Sequence, residues 1–260
     1  MADEPTKIQP GNSEGAFDQS KRVGPFRLLE QIGEGGMGIV YLAERKEPVA
    51  QRVALKVIRT NLLDDTYRSR FAMEQRALAC MDHPNVARLL DAGDDEGRSW
   101  FAMEYVPGQP LSDYCRDHRL SLKQRLHLFG QICDGVQHAH MKGILHRDIK
   151  PGNIMVREVD ARPVAKIIDF GLAQPVDPLQ IRASLHEAMR QIVGTLVYMS
   201  PEQAARKEGD LDTRTDVYSL GVVLYEMLTG ELPLNMESIE REGIGAFAVL
   251  LRDHTPKKPS

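Results

Sequence analysis

The sequence has no excess of positive charge, no long apolar run and no paired cysteines, and each absence removes a class of function. Lys and Arg number 33 against 37 Asp and Glu in 260 residues, so the charge balance points to neither nucleic acid nor an anionic membrane surface. No apolar run reaches the roughly 18 residues that a membrane span requires. The opening Met1-Ala2-Asp3-Glu4-Pro5 carries acids where a secretion signal carries basic residues. The expectation is a cytoplasmic chain. Cys80, Cys115 and Cys133 are odd in number and widely spaced, which supports neither a disulfide framework nor a zinc site and predicts buried free thiols. His138 and His140 are close in sequence, but two residues apart on a helix diverge by about 200° around its axis and do not make a metal site.

What is present suffices for a core: 42% of the residues are apolar, enough for one large domain or two small lobes. Residues 1–22 are polar and dotted with Pro, Gly, Ser, Asn and Gln, a composition that predicts a disordered tail. From Val23 onward short β-like runs take over, at residues 26–32, 39–43 and 52–58, with turn chemistry between them. Between the first two lies Gly33-Glu34-Gly35-Gly36-Met37-Gly38-Ile39-Val40. A dinucleotide turn would need a helix directly after the glycines. Here strand formers follow, so the glycines cap a hairpin whose backbone can approach a triphosphate closely.

The next run carries Val53-Ala54-Leu55-Lys56. Strand alternation puts Lys56 on the face of Ala54, toward whatever the hairpin covers. Residues 66–81 show helical spacing with Glu74 on the buried stripe, where a carboxylate needs a cationic partner; Lys56 is the expected one. His83-Pro84-Asn85 ends that helix. Strand-like runs at 86–92 and 99–106 follow, then the break at Pro107-Gly108, after which the pattern is mainly helical. The reading is therefore a lobe at 23–107 and a second at 108–260. Within the second, residues 122–142 form a long core helix. It leads into His146-Arg147-Asp148-Ile149-Lys150-Pro151-Gly152-Asn153, an acid, a cation and an amide in one rigid turn suited to phosphate and metal. A hairpin at 154–156 and 164–168 then delivers Asp169-Phe170-Gly171.

Taken in order, the glycine stretch, Lys56, Glu74, the 146–153 turn, Asp169-Phe170-Gly171 and Ser200-Pro201-Glu202 resemble the eukaryotic-like (Hanks-type) serine/threonine protein kinases, over about residues 23–230. The glycine stretch and Ser-Pro-Glu-Gln look most like the bacterial members. The resemblance implies an α+β, two-lobed protein kinase fold: a small antiparallel sheet with one key helix, and a larger, mainly helical lobe. It implies ATP and Mg²⁺ as cofactors and Ser/Thr hydroxyls of proteins as acceptors, the chain's own included. Asp148 would be the base, Lys150 the cation beside the moving phosphate, Lys56 the α/β-phosphate ligand oriented by Glu74, and Asn153 and Asp169 the metal ligands. The nucleotide would lie among Ile32, Gly33, Glu34, Gly35, Gly36, Met37, Gly38, Val40, Ala54, Met103, Glu104, Val106 and Met155. Arg147, Ser184 and Thr195 are the candidate regulatory residues. Relative to the family pattern the last helices of the large lobe are missing. The chain therefore looks truncated, with Glu202 deprived of its usual arginine partner, and a catalytically weak scaffold remains the alternative to an active enzyme.

Overall fold

The computed structural model describes residues 22–35, 38–58, 78–95, 97–170, 196–204, 211–234, 251 and 255–259. The expected 1–22 tail, the helix around Glu74, and the segments holding Ser184 and Thr195 lie outside these, apart from Arg22, which opens β1.

Six antiparallel strands form the upper sheet: β1 (Arg22–Val23), β2 (Phe26–Gly35), β3 (Gly38–Arg45), β4 (Gln51–Ile58), β5 (Leu89–Asp95) and β6 (Arg98–Glu104), in the order β1-β2-β3-β4-β6-β5. Alternation along β4 sets its two faces. Val53 and Leu55 are fully buried in a cluster with Phe26, Leu28, Ala43, Trp100 and Ala102. Phe26 meets Trp100 edge-on at 5.4 Å, a favourable aromatic arrangement. Ala54, Lys56 and Ile58 face the other way, and Ile58 joins the main core shared with the lower half.

Residues 105–108 carry the chain to a second, three-stranded sheet of β7 (Gln109–Pro110), β8 (Ile154–Val159) and β9 (Arg162–Ile167). Around it lie α1 (Leu111–Asp117), α2 (Leu122–Met141), α3 (Pro201–Ala204) and α4 (Thr213–Thr229). Helix α2 starts at a reciprocal cap, in which Ser121 and Gln124 each satisfy the other's end of the turn. It buries Leu128, Ile132, Val136 and Ala139. Helix α4 starts at Asp212, whose carboxylate accepts from Arg214 N, and stops at Gly230, held at φ +76°, a conformation that favours glycine.

One expected strand began too early. Residues 86–92 were expected to be extended, yet β5 starts at Leu89. The backbone just before it bonds elsewhere: Ala87 N donates to Ile167 O at 2.8 Å, and Ile167 N to Asn85 O at 2.8 Å. That segment links the two sheets instead of extending the upper one.

Candidate active site

The turn before β8 is built on a buried carboxylate. Asp216, in the first turn of α4, is fully buried. It accepts from His146 N and Arg147 N, both at 2.8 Å, and contacts His140 Nε2 at 2.7 Å. A charge removed from water needs several donors, and here two of them are the backbone of the 146–153 turn itself. Gln203 Nε2 adds a bond to Arg147 O at 2.8 Å. So held, Arg147 takes φ +64°, which is costly for a residue with a side chain and persists only where neighbours enforce it.

His146 passes this order on to the next strand. Its Nδ1 accepts from Asp148 N at 3.2 Å, so Nε2 carries the proton and donates to Ile168 O at 3.2 Å. Its ring lies 4.5 Å from that of Phe170. One fully buried, neutral histidine therefore sets Asp148 and Asp169 in relation to each other. Asp169 too sits at positive φ, +65°.

Within the turn, Asn153 Nδ2 donates to both Asp148 O (2.8 Å) and Asp148 Oδ2 (2.9 Å). Lys150 Nζ pairs with the same Oδ2 at 2.9 Å. Both neighbours converge on one oxygen of Asp148, and the amide spends its N–H groups there, so its own oxygen is left as a donor atom for a cation. Across the site, Lys56 Nζ holds both oxygens of Asp169, at 2.6 and 2.7 Å. Lys56 is only 7% exposed, and its charge needs that carboxylate. The expected partner, Glu74, lies outside the described residues; the pairing with Asp169 was not anticipated from sequence, because the two are 113 residues apart and nothing in spacing couples them.

The remaining expected residues line up on the strands. Ile32, Gly33, Glu34 and Gly35 end β2, Gly38 and Val40 start β3, and Gly36 and Met37 lie outside the described residues. Val40 pairs with Lys56 and Ala54 with Met103 across the sheet. A Cβ on Gly38 would sit 2.1 Å from Val57 O, so the glycine lets the hairpin close onto β4. Glu104 ends β6, Val106 is buried in the connector, and Met155 lies on β8 half-buried. Ile32, by contrast, is 42% exposed. Glu104 is expected only as one of the residues around the nucleotide. Its side chain in fact holds Lys166 Nζ at 2.6 Å, a lysine whose place three before Asp169 is visible in sequence but whose burial is not. Glu202, expected without a partner, accepts from Thr215 Oγ1 at 2.8 Å; the nearby α4 start supplies the donor.

No group of three His, Cys, Asp or Glu able to hold a metal occurs among the described residues. The donor set of Asn153 and Asp169 is made of hard oxygens, which suits Mg²⁺ bound mainly through one or two protein ligands and substrate phosphate. The residues fit that ion, which Asn153 and Asp169 would hold and which would supply charge neutralisation there.

Comparison with known proteins agrees with this layout. The family model described as the protein kinase domain matches residues 26–258. The chain is 38% identical over 241 residues to the serine/threonine-protein kinase Pkn1 of Myxococcus xanthus, covering 92% of this chain and 33% of that protein. It is 37% identical over 223 residues to the serine/threonine-protein kinase PrkC of Bacillus subtilis, covering 84% and 32%. It thus spans about a third of the length of these curated relatives. The crystal structure of the Mycobacterium tuberculosis PknI kinase domain superposes with a TM-score of 0.65 at 25% identity, over 89% of this chain and 85% of that one. With a family model matched across most of its length and the two-lobed fold in place, this chain belongs to the protein kinase family.

Proposed function

We propose that this chain transfers the γ-phosphate of ATP to serine or threonine hydroxyls of proteins. The observation that carries the reading is the convergence of Asn153 and Lys150 on one oxygen of Asp148, at 2.9 Å each, with the Lys56–Asp169 pair across from it. Phosphoryl transfer passes through a loose transition state, so a protein contributes mainly position and charge. Asp148 has its Oδ2 fixed by two donors, and it orients the acceptor hydroxyl and takes its proton as the P–O bond forms. Lys150 stays beside it to offset charge on the moving phosphoryl group. Lys56 holds the α/β-phosphates once these compete with Asp169 for it, and Glu74 is its orienting partner in the assembled site. Mg²⁺, held by Asn153 and Asp169, would supply neutralisation of phosphate charge. Ala54, Val40 and Met155 enclose the adenine, Met103 closes the back, and the backbone of residues 104–106 bonds the base.

The resemblance to serine/threonine enzymes and the lysine two residues after Asp148 support a hydroxyl acceptor of that class. We assign residues 23–107 and 108–260 to the two lobes, with 1–22 as a tail, and the cytoplasm, where ATP is abundant, as the compartment. Among the described residues no helix is long and apolar enough to cross a membrane. Arg147 is the proposed receiver of a phosphate on Ser184, with Thr195 contacting the catalytic turn. Its Nε is buried with no hydrogen-bond partner among the described residues, as a group awaiting an anion would be.

The test is transfer of labelled phosphate from Mg-ATP to a generic basic protein and to the chain itself. The parent is expected to label both, and Asp148→Asn and Lys56→Met to label neither. A parent that labels nothing overturns the reading.

A further inference from the structure

An open cleft of about 380 Å³ lies where the start of β4, the segment before β5, the 104–105 connector and β9 meet. Of its lining residues only Glu104 and Tyr105 belong to the nucleotide site described above. Gln51, Arg52, His83, Arg88, Glu104, Tyr105 and Lys166 are its polar members. Three cations face one carboxylate, a formal excess of two positive charges.

Each of these cations is committed only in part. Lys166 has a side chain 8% exposed. It donates to Glu104 Oε2 at 2.6 Å and to Val86 O at 3.3 Å, and an ammonium has three N–H groups, so one remains for the cleft. Arg52 lies across the β3–β4 ladder from Glu44, whose Oε1 accepts from Arg27 Nε and Nη2 at 3.0 and 2.7 Å, and Arg52 acts on that carboxylate only as a nearby charge. Arg52 therefore has no ion pair among the described residues. Arg88 pairs with Asp82 at 2.5 Å on the surface, with side chains 58% and 76% exposed, an arrangement worth little in water and readily exchanged for a stronger anion. Lys166 also helps hold His83 below its ordinary range, behind burial and the neighbouring His138, with Asp134 opposing. The cleft is electropositive at its floor as well as its rim.

We propose that this cleft is a binding site for a phosphate monoester. Such a group carries about −1.5 to −2 charge near neutrality, matching the excess of two among the lining residues once Arg88 exchanges Asp82 for it. Its oxygens accept the paired N–H groups of a guanidinium, and Lys is a compact point charge beneath. A volume of about 380 Å³ exceeds a bare phosphate and falls in the range of small-molecule sites, roughly 300–1,000 Å³, so the ester's organic body enters with it. Two sources share this chemistry, a free phosphorylated metabolite and a phosphorylated serine on a peptide.

The test is calorimetric titration of the intact chain with O-phosphoserine, with serine, and with a short peptide containing one phosphoserine. It is repeated on the Arg52→Gln/Arg88→Gln double variant, which alters only exposed side chains. The parent should bind the phosphorylated probes and not serine, and the double variant should bind them at least tenfold more weakly with an unchanged unfolding midpoint. Equal affinity for free phosphoserine and peptide assigns the site to a small metabolite, and clear preference for the peptide assigns it to a phosphorylated segment. Undiminished affinity in the double variant would place binding elsewhere and overturn the proposal, as would absence of binding by both phosphorylated probes. Phosphate transfer is measured separately, so neither result depends on the proposed catalytic reading.

Discussion

At Asp148 the residue-scale argument is one of shared donors. Asn153 and Lys150 both reach Oδ2, so the carboxylate is oriented by its neighbours. Replacing Asp148 by Asn keeps the shape and removes the proposed base. The turnover rate is expected to fall by roughly 10²–10⁴-fold, the usual worth of a positioned base, with the thermal midpoint nearly unchanged because the side chain is part-exposed. Rates and melting curves on one preparation check both halves, and a large fall in midpoint would mean that Asp148 acts through structure. The convergence of Lys150 and Asn153 on this residue was legible in sequence because the turn is local, an acid, a lysine and an amide within six positions. The Lys56–Asp169 pair was not, because the contact is set by how the two sheets meet.

Among the elements, α4 bears the catalytic turn through a single side chain. The helix runs over Thr213–Thr229 and ends at Gly230, with the Asp216 carboxylate under the 146–147 backbone. The helix signal was strong because apolar spacing, an N-terminal acid and a C-terminal glycine agree. The same helix offers Glu226 to Tyr198 and Ser112, at 2.5 and 2.8 Å. Burial, then the Glu226 bond, pushes the Tyr198 phenol far above its usual range, so it stays a donor. That network joins segments remote in sequence and left no periodic trace. For Asp216→Ala, two backbone N–H groups and His140 lose a buried acceptor. The expected cost is ~3 kcal/mol, read from a denaturant midpoint, together with loss of activity that Asp148→Asn produces without it.

For the whole molecule, the join between the two sheets falls on residues 83–87. Asn85 Nδ2 donates to Ala165 O at 2.7 Å and to Gln131 Oε1 at 3.2 Å, while its own carbonyl accepts from Ile167. A Cβ on Gly135 would stand 2.9 Å from Ile167 Cδ1 and 3.1 Å from Asn85 O, so α2 packs against this join with no space to spare. From sequence His83-Pro84-Asn85 could be seen only as a helix stop, since its partners come from two distant elements, α2 and β9. Asn85→Ala is expected to cost about 1–2 kcal/mol, measured by chemical unfolding. His83 makes the same join sensitive to pH. Its Nδ1 accepts from Asn85 N at 3.2 Å and its ring stacks on His138 at 5.0 Å, an arrangement that holds only while Nδ1 is unprotonated. Burial first, then His138 and Lys166, lower its pKa from 6.5, while Asp134 raises it. A histidine that binds its proton more readily unfolded than folded lowers stability as pH falls through its unfolded value. The unfolding midpoint should therefore drop as pH goes below about 6.5, and it should drop less steeply in His83→Gln, whose amide oxygen can still accept from Asn85 N but does not titrate. Parallel slopes for parent and variant across that window would assign the pH dependence to other groups.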